Sequence, residues 1–108
     1  MYLLTNGRIV TEEGILQGYD LLIEDDVIRK IAERGSVRTI GVEKIDVKGS
    51  YIAPGFVDVH SDYIENMASP RPPSIMDFNI SLREAEKVLL NNGITTMFHS
   101  LSFYGLDL

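Results

Sequence analysis

The residues best placed to do chemistry are His60 and Asp62, two positions apart at the end of the short run Phe56-Val57-Asp58-Val59-His60. Side chains alternate between the faces of a strand, so Asp58, His60 and Asp62 are expected to share a face with Phe56. An imidazole nitrogen and a carboxylate oxygen side by side are both donors that a zinc ion takes, and a catalytic zinc keeps one position open for water. The ion lowers the pKa of that water to about 7, which yields a nucleophile at neutral pH. The same spacing also describes a strand-end histidine hydrogen-bonded to its neighbour, and these two residues alone do not separate the readings. Two donors are also fewer than the three protein ligands of a catalytic zinc site.

The elements that must position this pair follow from turn and breaker residues. Pro54 cannot donate to a ladder and marks the approach to the strand, and Gly55 lets the chain bend into it. The long proline-rich stretch 61–79 reads as a loop. Ser81-Leu82-Arg83-Glu84 reads as a capping box opening a helix, with Ala85, Val88, Leu89 and Asn92 on one face. Asn92-Gly93 stops that helix, and Ile94–Phe98 is a second strand. Strand, helix and strand in this order predict a βαβ unit with parallel strands. Its first connection is unusually long, which favours a functional loop.

Upstream, short strand-forming runs alternate with turn signals. Asn6-Gly7 between Tyr2–Thr5 and Arg8–Thr11 predicts a hairpin, and Asp25-Asp26 predicts another between Asp20–Glu24 and Val27–Ile31. Residues 14–18 read as a loop or weak strand, residues 35–41 as a loop with a short strand, and Glu43–Val47 as a strand. Taken alone, this half suggests a small antiparallel sandwich or open barrel.

The run Pro54-Gly55-Phe56-Val57-Asp58-Val59-His60-Ser61-Asp62 resembles the first barrel strand of the amidohydrolase superfamily, with Asp62 where the usual His-x-His has its second histidine. The longer run, with His60, Asp62, Glu65 and then Pro70-Arg71-Pro72, resembles the phosphonate-metabolism branch, the α-D-ribose 1-methylphosphonate 5-triphosphate diphosphatases. The resemblance implies an α+β chain. Residues 1–52 would be the amino-terminal part of a small β-domain, and residues 53–108 the first β-α-β segment of a TIM-type metal-dependent hydrolase barrel. Such a barrel takes roughly 250 residues, so the chain is expected to be an amino-terminal piece.

The resemblance also implies roles. His60 and Asp62 are metal ligands, for zinc or manganese. Glu65 is a further ligand, or a group that holds a metal-bound histidine in one tautomer, or a solvated loop carboxylate. Arg71, stiffened by its flanking prolines, suits bidentate contact with a phosphate or phosphonate oxygen, although its chemistry alone fits a solvated arginine equally. Asp58 is read as structural, since a carboxylate deep in a barrel is costly unless paired. His99 ends the second strand, where the family pattern has an aspartate, and is read as a histidine satisfied by a partner. The implied activity is hydrolysis of a ribose methylphosphonate triphosphate to the 5-phosphate and pyrophosphate. The alternatives are an amide- or cyclic-amide-cleaving member, or a non-catalytic β-rich binding or assembly module. The piece by itself is expected to be inactive and to bind metal weakly. With sheet edges and apolar faces uncovered, it is also expected to form a homo-oligomer.

Composition narrows the partners. The net charge of −6 argues against nucleic acid and anionic membrane surfaces, which reward a basic face. It leaves room for a phosphorylated small molecule, because one metal or arginine can dominate a site locally. There is no cysteine, hence no disulfide framework and no thiolate metal site. The first residues lack the pattern of a secretion signal, and no apolar run is long enough for a membrane span, so a soluble cytoplasmic protein is expected.

Overall fold

The structure is a computed structural model that describes residues 1–69 and 76–100. It divides into two compact units, Met1–Pro54 and Gly55–Leu108.

The first unit is all strand. Its elements are β1 (Tyr2–Thr5), β2 (Arg8–Thr11), β3 (Gly14–Leu16), β4 (Tyr19–Glu24), β5 (Val27–Glu33), β6 (Glu43–Asp46) and β7 (Tyr51–Ile52). They form a four-stranded sheet in the order β5-β4-β1-β6 and a three-stranded sheet in the order β3-β2-β7. Leu3, Ile9, Leu21 and Ala32 supply its buried apolar side chains.

The hairpin expected at Asp25-Asp26 is present. Both residues have positive φ, 48° and 64°, as a two-residue turn matched to strand twist requires, and β4 pairs antiparallel with β5. The hairpin expected at Asn6-Gly7 is not. β1 pairs with β4 and β6, while β2 pairs with β3 and β7, so the chain changes sheets between them. Asn6 takes φ 58°, but Gly7 is not in the positive-φ region. Gly7 serves close packing instead: a Cβ there would lie 2.5 Å from Ile52 Cδ1 and 2.7 Å from Val47 Cγ2.

The sheet change is made by two chain segments running side by side. β6 lies parallel to β1 and β7 parallel to β2, against the purely antiparallel expectation. Across the corner, Val47 N–H donates to Thr5 O, Gly49 N–H to Asn6 O, and Arg8 N–H to Ser50 O, at 3.0, 2.7 and 3.0 Å. The Asp46 carboxylate sits in this stitching and accepts from the Lys48 amide at 2.7 Å and from Asn6 Nδ2 at 3.1 Å. No strand forms between Gly35 and Gly41.

Those two donors to Asp46 have a measurable consequence. The Lys48 backbone amide, and after it the Asn6 side chain, hold the Asp46 carboxyl below its ordinary value of 3.8. A carboxyl that is more acidic when folded contributes stability at neutral pH and loses it as pH falls through the folded value. Acidification from pH 7 to below about 4 is therefore expected to cost the wild type more than Asp46→Asn, so that their melting temperatures converge in acid. Thermal melts at stepped pH check this; parallel curves would remove Asp46 from the account.

The second unit comprises β8 (Phe56–Ser61), α1 (Tyr63–Ala68), α2 (Phe78–Asn91) and β9 (Ile94–His99). β8 and β9 pair in parallel, as the βαβ reading predicts. The expected loop at 61–79 contains α1, a short helix that buries Ile64. The predicted capping box at Ser81 is corrected. α2 starts four residues earlier, with Asp77 as N-cap accepting from the Ile80 amide at 3.1 Å. Ser81 lies inside the helix, buried, and donates to Asp77 O. Glu84 pairs with Lys87 at 2.7 Å rather than reaching back to the cap. The buried face is accordingly Ser81 and Ala85 with Leu89 half-buried, and Val88 turns outward. Gly93, at φ 78°, turns the chain out of the helix into β9. Among the described residues no helix is long and apolar enough to cross a membrane.

Candidate metal-binding pair at the end of β8

β8 does not keep the simple alternation of a flat strand. Its pairing with β9 sets Asp58 opposite Met97 and Ser61 opposite His99, with a register shift between them. The irregularity is filled by Asp58, whose Oδ1 accepts the His60 amide at 3.1 Å. Asp58 is half-buried and engaged with backbone, while the His60 imidazole is turned out into solvent.

Asp62 lies beyond the strand, at the N-cap of α1. An aspartate at this position ordinarily accepts from the second or third helical amide. Here it makes no side-chain capping bond, and the preceding Ser61 Oγ accepts from the Tyr63 amide at 3.0 Å. The Asp62 carboxylate is thereby left to face His60: Nε2 and Oδ1 are 3.8 Å apart, with side chains 71% and 59% exposed. That separation is too long for a hydrogen bond. Strand end and helix start, rather than one pleat, bring the two together.

Glu65 is half-buried in the first turn of α1. Among the described residues no group of three or more His, Asp or Glu is placed to hold a metal ion. His60 and Asp62 fit a divalent ion by donor type, as one nitrogen and one oxygen donor, and would need further ligands. Arg71 and the prolines around it lie outside the described residues.

His99 departs from the expectation of a satisfied strand-end histidine. Among the described residues its Nδ1 is buried without a hydrogen-bond partner. The residue borders an apolar groove among α1, α2 and β9, with Ile64, Ala85 and Leu89 also in its wall. Ser61, whose hydroxyl frees Asp62 from capping, is a residue that metal-ligand spacing does not reveal. A serine directly before an Asp-led helix start was the available signal.

The NagA composite domain model matches residues 1–52. Dihydroorotases from Bacillus thuringiensis (strain Al Hakam) and Bacillus cereus (strain B4264) are each 49% identical over 59 residues, covering 55% of this chain. The chain spans 13% of the length of those relatives. Among solved structures, the D-hydantoinase (dihydropyrimidinase) from Thermus sp. aligns with TM-score 0.70 and 25% identity over 99% of this chain and 22% of its own. The N-acetylglucosamine-6-phosphate deacetylase from Pasteurella multocida aligns in fold, with TM-score 0.64 and 24% identity over 91% of this chain and 24% of its own. Residues 1–52 are thus similar to the NagA composite domain, and the chain is similar in fold to part of the D-hydantoinase.

Proposed function

We propose that the chain is the amino-terminal part of a metal-dependent hydrolase barrel of phosphonate catabolism. In this reading His60 and Asp62 hold a divalent metal, zinc or manganese, together with ligands from later strands. The observation that carries it is the uncapped Asp62 carboxylate facing His60 Nε2 at 3.8 Å at the open end of β8. When bound, such an ion supplies an ionised water near neutral pH and stabilises charge on phosphoryl oxygens. The chain's own contribution is to fix the two donors: Asp58 braces the His60 backbone, and Ser61 takes the turn bond that would otherwise compete for Asp62.

The proposed substrate is a ribose methylphosphonate bearing a 5′-triphosphate. Water would add at phosphorus and a phosphoanhydride bond would break, giving the 5-phosphate and pyrophosphate. Support comes from Asp62 in the place of a second histidine and from Arg71 between prolines, whose planar guanidinium suits a phosphate oxygen pair. A second reading, hydrolysis of a cyclic amide, is favoured by the 49% identity to dihydroorotases over 59 residues.

The deciding experiment assays the complete hydrolase, loaded with zinc or manganese, on both substrate classes. Pyrophosphate release from the phosphonate-ribose triphosphate is expected. Brisk ring opening of a dihydropyrimidine or dihydroorotate with no pyrophosphate would replace the first reading by the second.

A further inference from the structure

We infer that the first unit carries an oxyanion-binding pocket built on Arg8 and Arg34, separate from the His60–Asp62 pair. A cavity of about 390 Å³ opens between the side chains of Asn6, Arg8, Gln17 and Arg34, with glycine backbone between them. Its side chains are two guanidiniums and two carboxamides. Among the described residues no carboxylate lines it, although Asp and Glu outnumber Lys and Arg by 16 to 10 in the chain.

Arg8 is already held in position. Its Nε donates to Gly49 O at 2.9 Å, its Nη1 donates to the Tyr51 hydroxyl at 3.2 Å, and its guanidinium lies 4.0 Å from the centroid of the Tyr51 ring. A guanidinium has further N–H donors beyond those two, and here they are oriented before any ligand arrives, which lowers the entropy cost of binding. Arg34 is half-exposed, and its Nε stands 4.0 Å from the buried Asp20 Oδ1, too far for a hydrogen bond. Arg34 is thus ion-paired with Asp20 but makes no side-chain hydrogen bond among the described residues, which leaves its N–H donors open to a ligand.

The nearby carboxylates lie outside the lining of the hollow. Asp20 accepts the Gly35 amide through Oδ2 while its buried Oδ1 faces Arg34, and Asp46 is taken up by Lys48 and Asn6. Gly18 and Gly49 both sit at φ +79°, where a side chain would be strained, and nothing lies within 4 Å of where their Cβ atoms would be. The hollow over them stays open. Two guanidiniums with amide donors at the rim match a tetrahedral oxyanion, so the ligand class is inorganic phosphate or a phosphate monoester.

The test is an NMR titration of the ¹⁵N-labelled 108-residue chain with inorganic phosphate, with sodium chloride adjusted to hold ionic strength constant. Saturable shifts are expected at the amides of Gly18, Arg34 and Gly49. Glycerol 1-phosphate in place of phosphate saturates the same amides if a monoester fits, and leaves them unmoved if only the free ion does; acetate should bind at least ~10-fold more weakly. Arg34→Gln should raise the midpoint by about 10-fold. Gln17→Ala, on the opposite rim, should weaken binding by a smaller factor and serves if the arginine variant folds poorly. Shifts that stay linear with phosphate, or an Arg34→Gln chain that titrates like wild type, would overturn the site.

Discussion

On the proposed function, His60→Ala in the complete hydrolase is expected to lower kcat/KM by more than about 100-fold and to strip the metal proposed for this end of β8. The size follows from a comparison. Removing groups that merely orient a metal ligand costs ~10–100-fold in affinity or activity, so loss of a ligand itself should cost more. Asp62→Ala should behave similarly, because its carboxylate faces His60 and caps nothing, leaving little structural role to lose. Asp62→His should retain metal, since imidazole is an equally suitable donor. Asp58→Asn keeps an oxygen able to accept the His60 amide and should leave metal content nearly unchanged. Metal analysis of the purified variants, alongside kcat and KM, checks all four. A His60→Ala protein with its full metal complement would end the assignment, whatever its activity.

What could be read from the sequence was local, and what could not was set by distant contacts. The Asp25-Asp26 turn depends on two adjacent backbone conformations and the strands beside them, so it was legible. Asn6-Gly7 presents the same kind of signal, yet its outcome is decided by residues some forty positions away. Asn6 binds Asp46, and Gly7 is wedged against Val47 and Ile52. No turn statistic contains the arrival of that second segment. The parallel β8–β9 pair was legible from strand, helix and glycine stop. The helix start was not, because Asp77 and Ser81 are both good caps. Packing chose between them by burying the small Ser81 side chain.

The candidate site divides in the same way. The residue types of His60 and Asp62 were visible, and so was their nearness. The route was not: alternation on one strand was expected, but β8 slips register after Asp58 and a short helix supplies Asp62. α1 escaped notice because prolines further along the stretch suggested a loop throughout, although Ile64, Met67 and Ala68 have the spacing of a one-sided helix. Of the three readings of Glu65, the solvated loop carboxylate does not fit its half-buried place in that helix.

Leu3→Ala should be the most destabilising single truncation in the first unit. Leu3 is 2% exposed and lies on β1, between Leu22 of β4 and Lys44 of β6. Strand pairing on both sides holds the backbone in place, so the space left by the missing atoms cannot readily collapse. Buried Leu→Ala changes cost about 2–5 kcal/mol, increasing with the cavity that remains. Domain stabilities run at about 5–15 kcal/mol, and small units bury proportionately less surface. The variant should therefore unfold its first unit at markedly lower urea, with faster amide exchange at Leu21 and Ala32. Ile40→Ala is the matched control: that side chain is 93% exposed, and its removal should change stability by less than about 0.5 kcal/mol. Exchange at Leu21 that is equally slow in the two variants would mean that β1 is not the strand on which this unit's core depends. Its two-sided pairing with β4 and β6 would then have to be redrawn.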